Sequence, residues 1–252
     1  MNNATGYSRT RDIPANYLHE LNVGLRQTRT LAEVLAVDFS ILLTTLFPGE
    51  SETIRSFFLG GSSITERLLK AGQFLGARCN NAELEQLCTH PSDSIRGAAA
   101  YAIAERPARS LRAQLERMLP LADDDHFGVR EWAWLALRPQ LSANLDEAIV
   151  ALAAWAQSDS ARLRRFAIEA LRPRGVWCKH IEELKRDPAR ALSLLEMYKA
   201  ESDPYAQKSA SNWLNDAAKT QPAWVQELTD RWLAESASPH TIRLVAHARR
   251  SL

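Results

Sequence analysis

The chain has 252 residues but only 10 glycines, 11 prolines and three cysteines. Cys79, Cys88 and Cys178 are scattered and form no CxxC pair. An odd, dispersed set argues against a disulfide framework and for a reducing compartment, so a cytoplasmic location is expected. The start, MNNATGYSRTRD, has no apolar core of the kind a secretory signal carries. The longest apolar stretch, Ala148 to Ala156, is far too short to span a bilayer. Charge of one sign is also missing. Lys plus Arg is 31 and Asp plus Glu is 30, which excludes a uniformly basic nucleic-acid coat. The six histidines show no metal-ligand spacing, so no metal and no cofactor are expected. Gly60-Gly61-Ser62-Ser63 follows no strand and therefore reads as a helix break, not a phosphate loop.

What is abundant is alanine, with 38, and leucine, with 34. Both are strong helix formers, so the expected class is all-α. A 46% apolar composition supports a real core. Five segments repeat one pattern: a small apolar residue, then a basic or polar one, with Ala four positions after the first. They start at Ile95, Val129, Leu163, Ala206 and Ile242, at spacings of 34, 34, 43 and 36 residues. Second helices fit between them at 111–121, 145–157, 189–199 and 224–234. Asp187-Pro188, Asp203-Pro204 and Ser238-Pro239 each set a capping residue before a first-turn proline. Ser63 with Glu66 reads as a capping box. Helical pairs at this period predict a HEAT-like α-α superhelix, an α-solenoid with a concave face. Residues 1–12 read as a loose tail, and 13–252 as one repeat domain.

Three acids fall on related positions. Glu131 lies two residues after its motif start, Glu169 six and Asp216 ten. Those offsets share one helix face, each advanced by about a turn. Around Glu169 charge is lopsided: from Arg162 to Arg190 there are nine basic residues and four acids. A basic stripe suits a phosphate backbone, while a solvated helix face with paired charges is the plainer alternative. The sequence RPRGV, at 172–176, should end a helix and expose a loop that carries Trp177.

These segments carry a resemblance. RRFAIEALRPRGVW at 164–177 resembles the RRxxxExxRPRxxW segment of the AlkC-type DNA alkylation-repair glycosylases. SASNWLNDAAKTQPAWV at 209–225 is similar to their LND-containing helix, and EWAWLALRP at 131–139 to a shorter helix ending in Arg-Pro. The superfamily also holds the AlkD-type enzymes, and all are built from HEAT-like repeats. The resemblance implies hydrolysis of the N-glycosidic bond of a cationic N-alkylated base of the 3-methyladenine type, without lyase activity. It places the catalytic acids on Asp216 and Glu169, with Glu131 in support, and Trp177 and Trp132 by the base or sugar. Arg130, Arg164, Arg165, Arg172, Arg174, Lys179 and Lys208 are then the expected contacts to double-stranded DNA, made by a monomer. The rival readings are a non-catalytic HEAT-repeat scaffold and a glycosylase for bulky alkyl adducts.

Overall fold

A computed structural model describes residues 6–60 and 63–252. Among these, all regular elements are helical and no strand occurs. Residues 1–5 of the expected tail, and Gly61 and Ser62 of the expected helix break, lie outside the described residues. The chain groups into two compact units. One holds the residues up to 109 and 114–136; the other holds 110–113 and 137–252.

The first unit begins with short helices: α1 (Ala15–Asn22), α2 (Leu31–Ala36), α3 (Phe39–Leu46) and α4 (Ser51–Phe57). The longer α5 (Ile64–Arg78) opens on the expected capping box, with the Ser63 side chain accepting from Glu66 N and Glu66 accepting from Ser63 N. After α6 (Asn81–Leu87), α7 (Asp93–Glu105) is the first repeat helix, and α5 packs along it. The approach is close because of Gly72. A Cβ there would sit 2.4 Å from the Tyr101 Cβ and 2.9 Å from the Ala102 backbone N. Ile95, Ala98, Ala99, Ala100 and Ala102 are all fully buried, so the small residues of the motif serve tight packing.

Then come α8 (Leu111–Ala122) and α9 (Phe127–Ala143), followed in the second unit by α10 (Leu145–Ala156) and α11 (Ala161–Glu169). A short α12 (Glu182–Arg186) leads to α13 (Leu192–Leu195), which is flanked by two 3-10 turns. The continuous helix expected over 189–199 is thus broken into three pieces. Tyr198, fully buried, donates from its hydroxyl to the Arg164 carbonyl and ties the end of this segment to α11. The unit closes with α14 (Pro204–Ala218), α15 (Pro222–Glu235) and α16 (Pro239–Ala248). Asp203 and Ser238 cap α14 and α16 as their Pro-flanked positions predict. α14 packs against α11, α15 and α16 through Ala206, Ala210, Trp213, Leu214 and Ala217, all fully buried.

The residue after each motif start does the same job in four of the repeats. Its side chain reaches back five or six residues to the carbonyls of the preceding loop. Arg96 donates to His90 O and Pro91 O, Arg130 to Asp124 O and Asp125 O, and Arg164 to Ser158 O and Asp159 O. Gln207 does so to Glu201 O. Two of these arginines also take an acid from the loop ahead of the next repeat. Arg96 pairs with Asp124, and Arg164 pairs with Glu201. The basic residue in the motif therefore ties its helix to the carbonyls of the loop before it.

Candidate active site

α11 stops at Glu169, and the chain turns away over 170–181 before α12 begins. Pro173 contributes to this stop, whereas the matching Pro139 stays inside α9. Proline has no N–H to continue the helix, and it disfavours helical backbone at the residue before it. The stop leaves Glu169 at the helix end and Arg172 one turn further on, free to reach a neighbouring helix.

Arg172 reaches α14. Its Nη1 donates to Glu169 Oε1 at 2.8 Å, and its Nε and Nη2 each lie 2.9 Å from Asp216 Oδ2. One guanidinium thus joins the two acids that the repeat offsets had placed on one face. All three side chains are nearly closed to solvent, at 6%, 11% and 4% exposure for Glu169, Arg172 and Asp216. Burial opposes charge on Arg172, but the two carboxylates more than offset it and hold its pKa above the ordinary value. Lys219, one turn along α14 and half exposed, stands 3.5 Å from Asp216 Oδ1. Arg174 Nε donates to the Asp216 backbone carbonyl at 3.3 Å.

Trp177 sits at the tip of the 170–181 loop, half exposed, with φ of 60°. A bulky L residue rarely takes that left-handed conformation, and such outliers concentrate at functional sites. Trp132 is placed differently. It is 2% exposed, and a Cβ on Gly97 would come within 2.7 Å of its ring. Its bulk is a core element of the first unit, which leaves it no open face for a base or sugar. Glu131 is half-buried, with Oε2 accepting from the Trp134 indole N–H at 2.9 Å.

The expected DNA contacts divide into two groups. Arg130 and Arg164 direct guanidinium N–H groups at loop carbonyls, and Arg172 is spent between the acids. Lys179 and Lys208 are exposed, while Arg165 and Arg174 are half-buried, with Arg174 on the Asp216 carbonyl and the Arg165 guanidinium 4.6 Å from the centre of the Tyr205 ring. Arg138 stands outside the site residues expected from the sequence. It lies nine residues after Val129, the same offset that Arg172 has from Leu163, and a proline follows each. That recurring Arg-Pro pair was the available signal.

Comparison with known proteins agrees with this architecture. The family model for HEAT repeats matches residues 81–172. The alkylpurine DNA glycosylase AlkC of Pseudomonas fluorescens, solved bound to DNA containing an abasic site analog, superposes with a TM-score of 0.66 and 25% identity. The match covers 84% of this chain and 60% of AlkC. AlkD2 from Streptococcus mutans gives a TM-score of 0.61 at 17% identity, over 82% of this chain and 99% of that one. The chain has the HEAT-like repeat fold of AlkC and AlkD2. The smu.31 protein of Streptococcus mutans UA159 shares it, with a TM-score of 0.61 at 16% identity over 85% of this chain and all of that one. In sequence, the uncharacterized protein YhaZ of Bacillus subtilis is 38% identical over 117 residues, which is 46% of this chain and 32% of YhaZ. The chain therefore spans about a third of that curated relative and 60% of AlkC. Among the described residues, no helix is long and apolar enough to cross a membrane, and no three of His, Cys, Asp and Glu cluster as metal ligands.

Proposed function

We propose that this protein is a monofunctional DNA glycosylase of the AlkC type that hydrolyses the N-glycosidic bond of cationic N-alkylated bases such as 3-methyladenine. The observation that carries the proposal is the buried Glu169–Arg172–Asp216 cluster, with an exposed Trp177 at positive φ on the loop that follows Glu169 in the chain. An alkylated base that already bears positive charge leaves readily and needs no strong acid. The sugar left behind develops oxocarbenium character, and a carboxylate held beside it stabilises it electrostatically. Asp216 is assigned to the sugar or to the attacking water, and Glu169 to its partner. Arg172 bridges both carboxylates and fixes their geometry. Trp177 offers a ring face to the cationic base. Arg165, Arg174, Lys179 and Lys208 are assigned to phosphates.

A second reading has one observation in its favour. Arg172 closes on both acids, as a purely structural ion pair would, which suits a HEAT-repeat module that binds DNA without cleaving it. Incubation with methylated duplex DNA separates the two. The glycosylase predicts release of 3-methyladenine by the wild type and a large loss in Asp216→Asn and Glu169→Gln. Salt-sensitive DNA binding with no release from methylated DNA sinks the simple-methyl reading. The same assay on larger lesions then tells a bulky-adduct enzyme from a binding module.

A further inference from the structure

The 170–181 loop is wound around one buried side chain. Arg138, on α9, is 3% exposed and makes four hydrogen bonds to three of the loop's carbonyls. Nη1 donates to Ala170 O at 2.7 Å, and Nη2 to Arg172 O at 2.7 Å and Lys179 O at 3.1 Å. Nε also donates to Lys179 O, at 3.2 Å. These acceptors lie on both sides of Trp177 in the chain. The loop closes over them through Ile181 N donating to Pro173 O at 3.1 Å. Gly175 fits against the guanidinium. A Cβ there would stand 3.3 Å from Arg138 Cζ and 2.4 Å from Cys178 Sγ. The loop therefore has a rigid peg inside it, and its tip residue is held at a φ that a tryptophan would not choose.

We infer that Arg138 is a positioning residue: it holds the 170–181 loop so that Trp177 is presented to substrate in one fixed conformation. This rests on the proposed glycosylase reading of the same site. The planar guanidinium is what the job requires. It offers five N–H groups in a fixed fan, and three carbonyls converge on four of its bonds. A lysine keeps the charge but presents a single ammonium point with no such fan. Arg138→Lys is therefore expected to leave a folded protein with a misplaced loop.

The test is single-turnover base release from methylated duplex DNA by four proteins: wild type, Arg138→Lys, Trp177→Ala and the double variant. Arg138→Lys is expected to slow release by about tenfold when Trp177 is present, and by less than about threefold when the ring is already gone. A purely structural role would cost the same factor in both backgrounds, and equal factors overturn the inference. If Arg138→Lys loses its cooperative unfolding transition, Gly175→Ala takes its place. That variant keeps Arg138 and pushes the loop from the other side, with the same non-additivity expected. A wild type that releases no base defeats the glycosylase reading and this inference with it. An active wild type whose Trp177→Ala variant keeps full rate defeats this inference alone.

Discussion

Replacing Arg164 by Met separates two roles that its sequence position invites. In the structure its Nε and Nη2 grip Glu201 at 2.7 and 3.0 Å, while Nη1 donates to the Ser158 and Asp159 carbonyls at 2.9 and 3.0 Å. The Glu201 side chain is only 5% exposed. Methionine keeps the length of the stem but strands that carboxylate. Removing one partner of a buried ion pair costs about 3–5 kcal/mol. Glu201 keeps one donor, Asp203 N at 2.8 Å. The expected loss therefore lies at the lower end, about 3 kcal/mol, or about 6–12 °C in melting temperature for a domain of this size. Urea and thermal unfolding measure it directly. Adding Glu201→Gln should restore part of the loss, because the stranded charge is then gone. If Arg164 instead served a phosphate, stability would hold and the salt dependence of DNA binding would fall by about one counterion. A stability loss below about 1 kcal/mol, the range of an exposed pair, would refute the structural assignment.

Three further outcomes are expected. Gly72→Ala forces a Cβ to within 2.4 Å of Tyr101 Cβ and should destabilise the first unit by about 1–3 kcal/mol through overpacking, as seen in denaturant midpoints. Trp177→Asn places a residue more tolerant of positive φ at a half-exposed position, so stability should hold or rise by about 1 kcal/mol while base release collapses. Burial, and then Arg96, hold the His90 pKa below its ordinary 6.5. The unfolded chain then takes up that proton first. The stability linked to neutral His90 is complete above pH 6.5 and is lost as pH falls through the depressed value. His90→Gln should flatten that part of the pH–stability curve, and an unchanged curve would exclude the linkage.

Much of the fold was legible because its period is set by small residues that must recur wherever helices approach closely. The Ala four positions after each motif start, the caps at Asp203 and Ser238 and the Ser63 box all describe local geometry, which a sequence states directly; Asp187, before Pro188, makes no side-chain cap bond. The pairing of Glu169 with Asp216 was half legible. Their offsets put them on one face, but nothing local names Arg172 as the group between them. Charge type alone does not say where Arg130, Arg164 and Arg172 point, since an arginine aimed at phosphate and one aimed at a buried carboxylate or carbonyl look alike in sequence. Trp132 shows the same limit. An aromatic on a motif helix packs into a neighbour or faces a ligand according to what stands opposite, and Gly97 stands opposite.

The loop clamps set where one module of this chain ends and the next begins. Arg96 needs Asp124, and Arg164 needs Glu201, so each arginine finds its counterpart beyond the helix pair to which it belongs. A graft cut at helix boundaries would separate donor from acceptor and leave a buried charge at those two seams. The segment that can be transplanted, duplicated or deleted runs instead from one motif arginine to the acid ahead of the next. An insertion is tolerated when it falls between those anchors, as the 43-residue interval holding the 170–181 loop illustrates. Lengthening the chain there adds a new loop without breaking the joint, and that gives such a scaffold room to acquire a site.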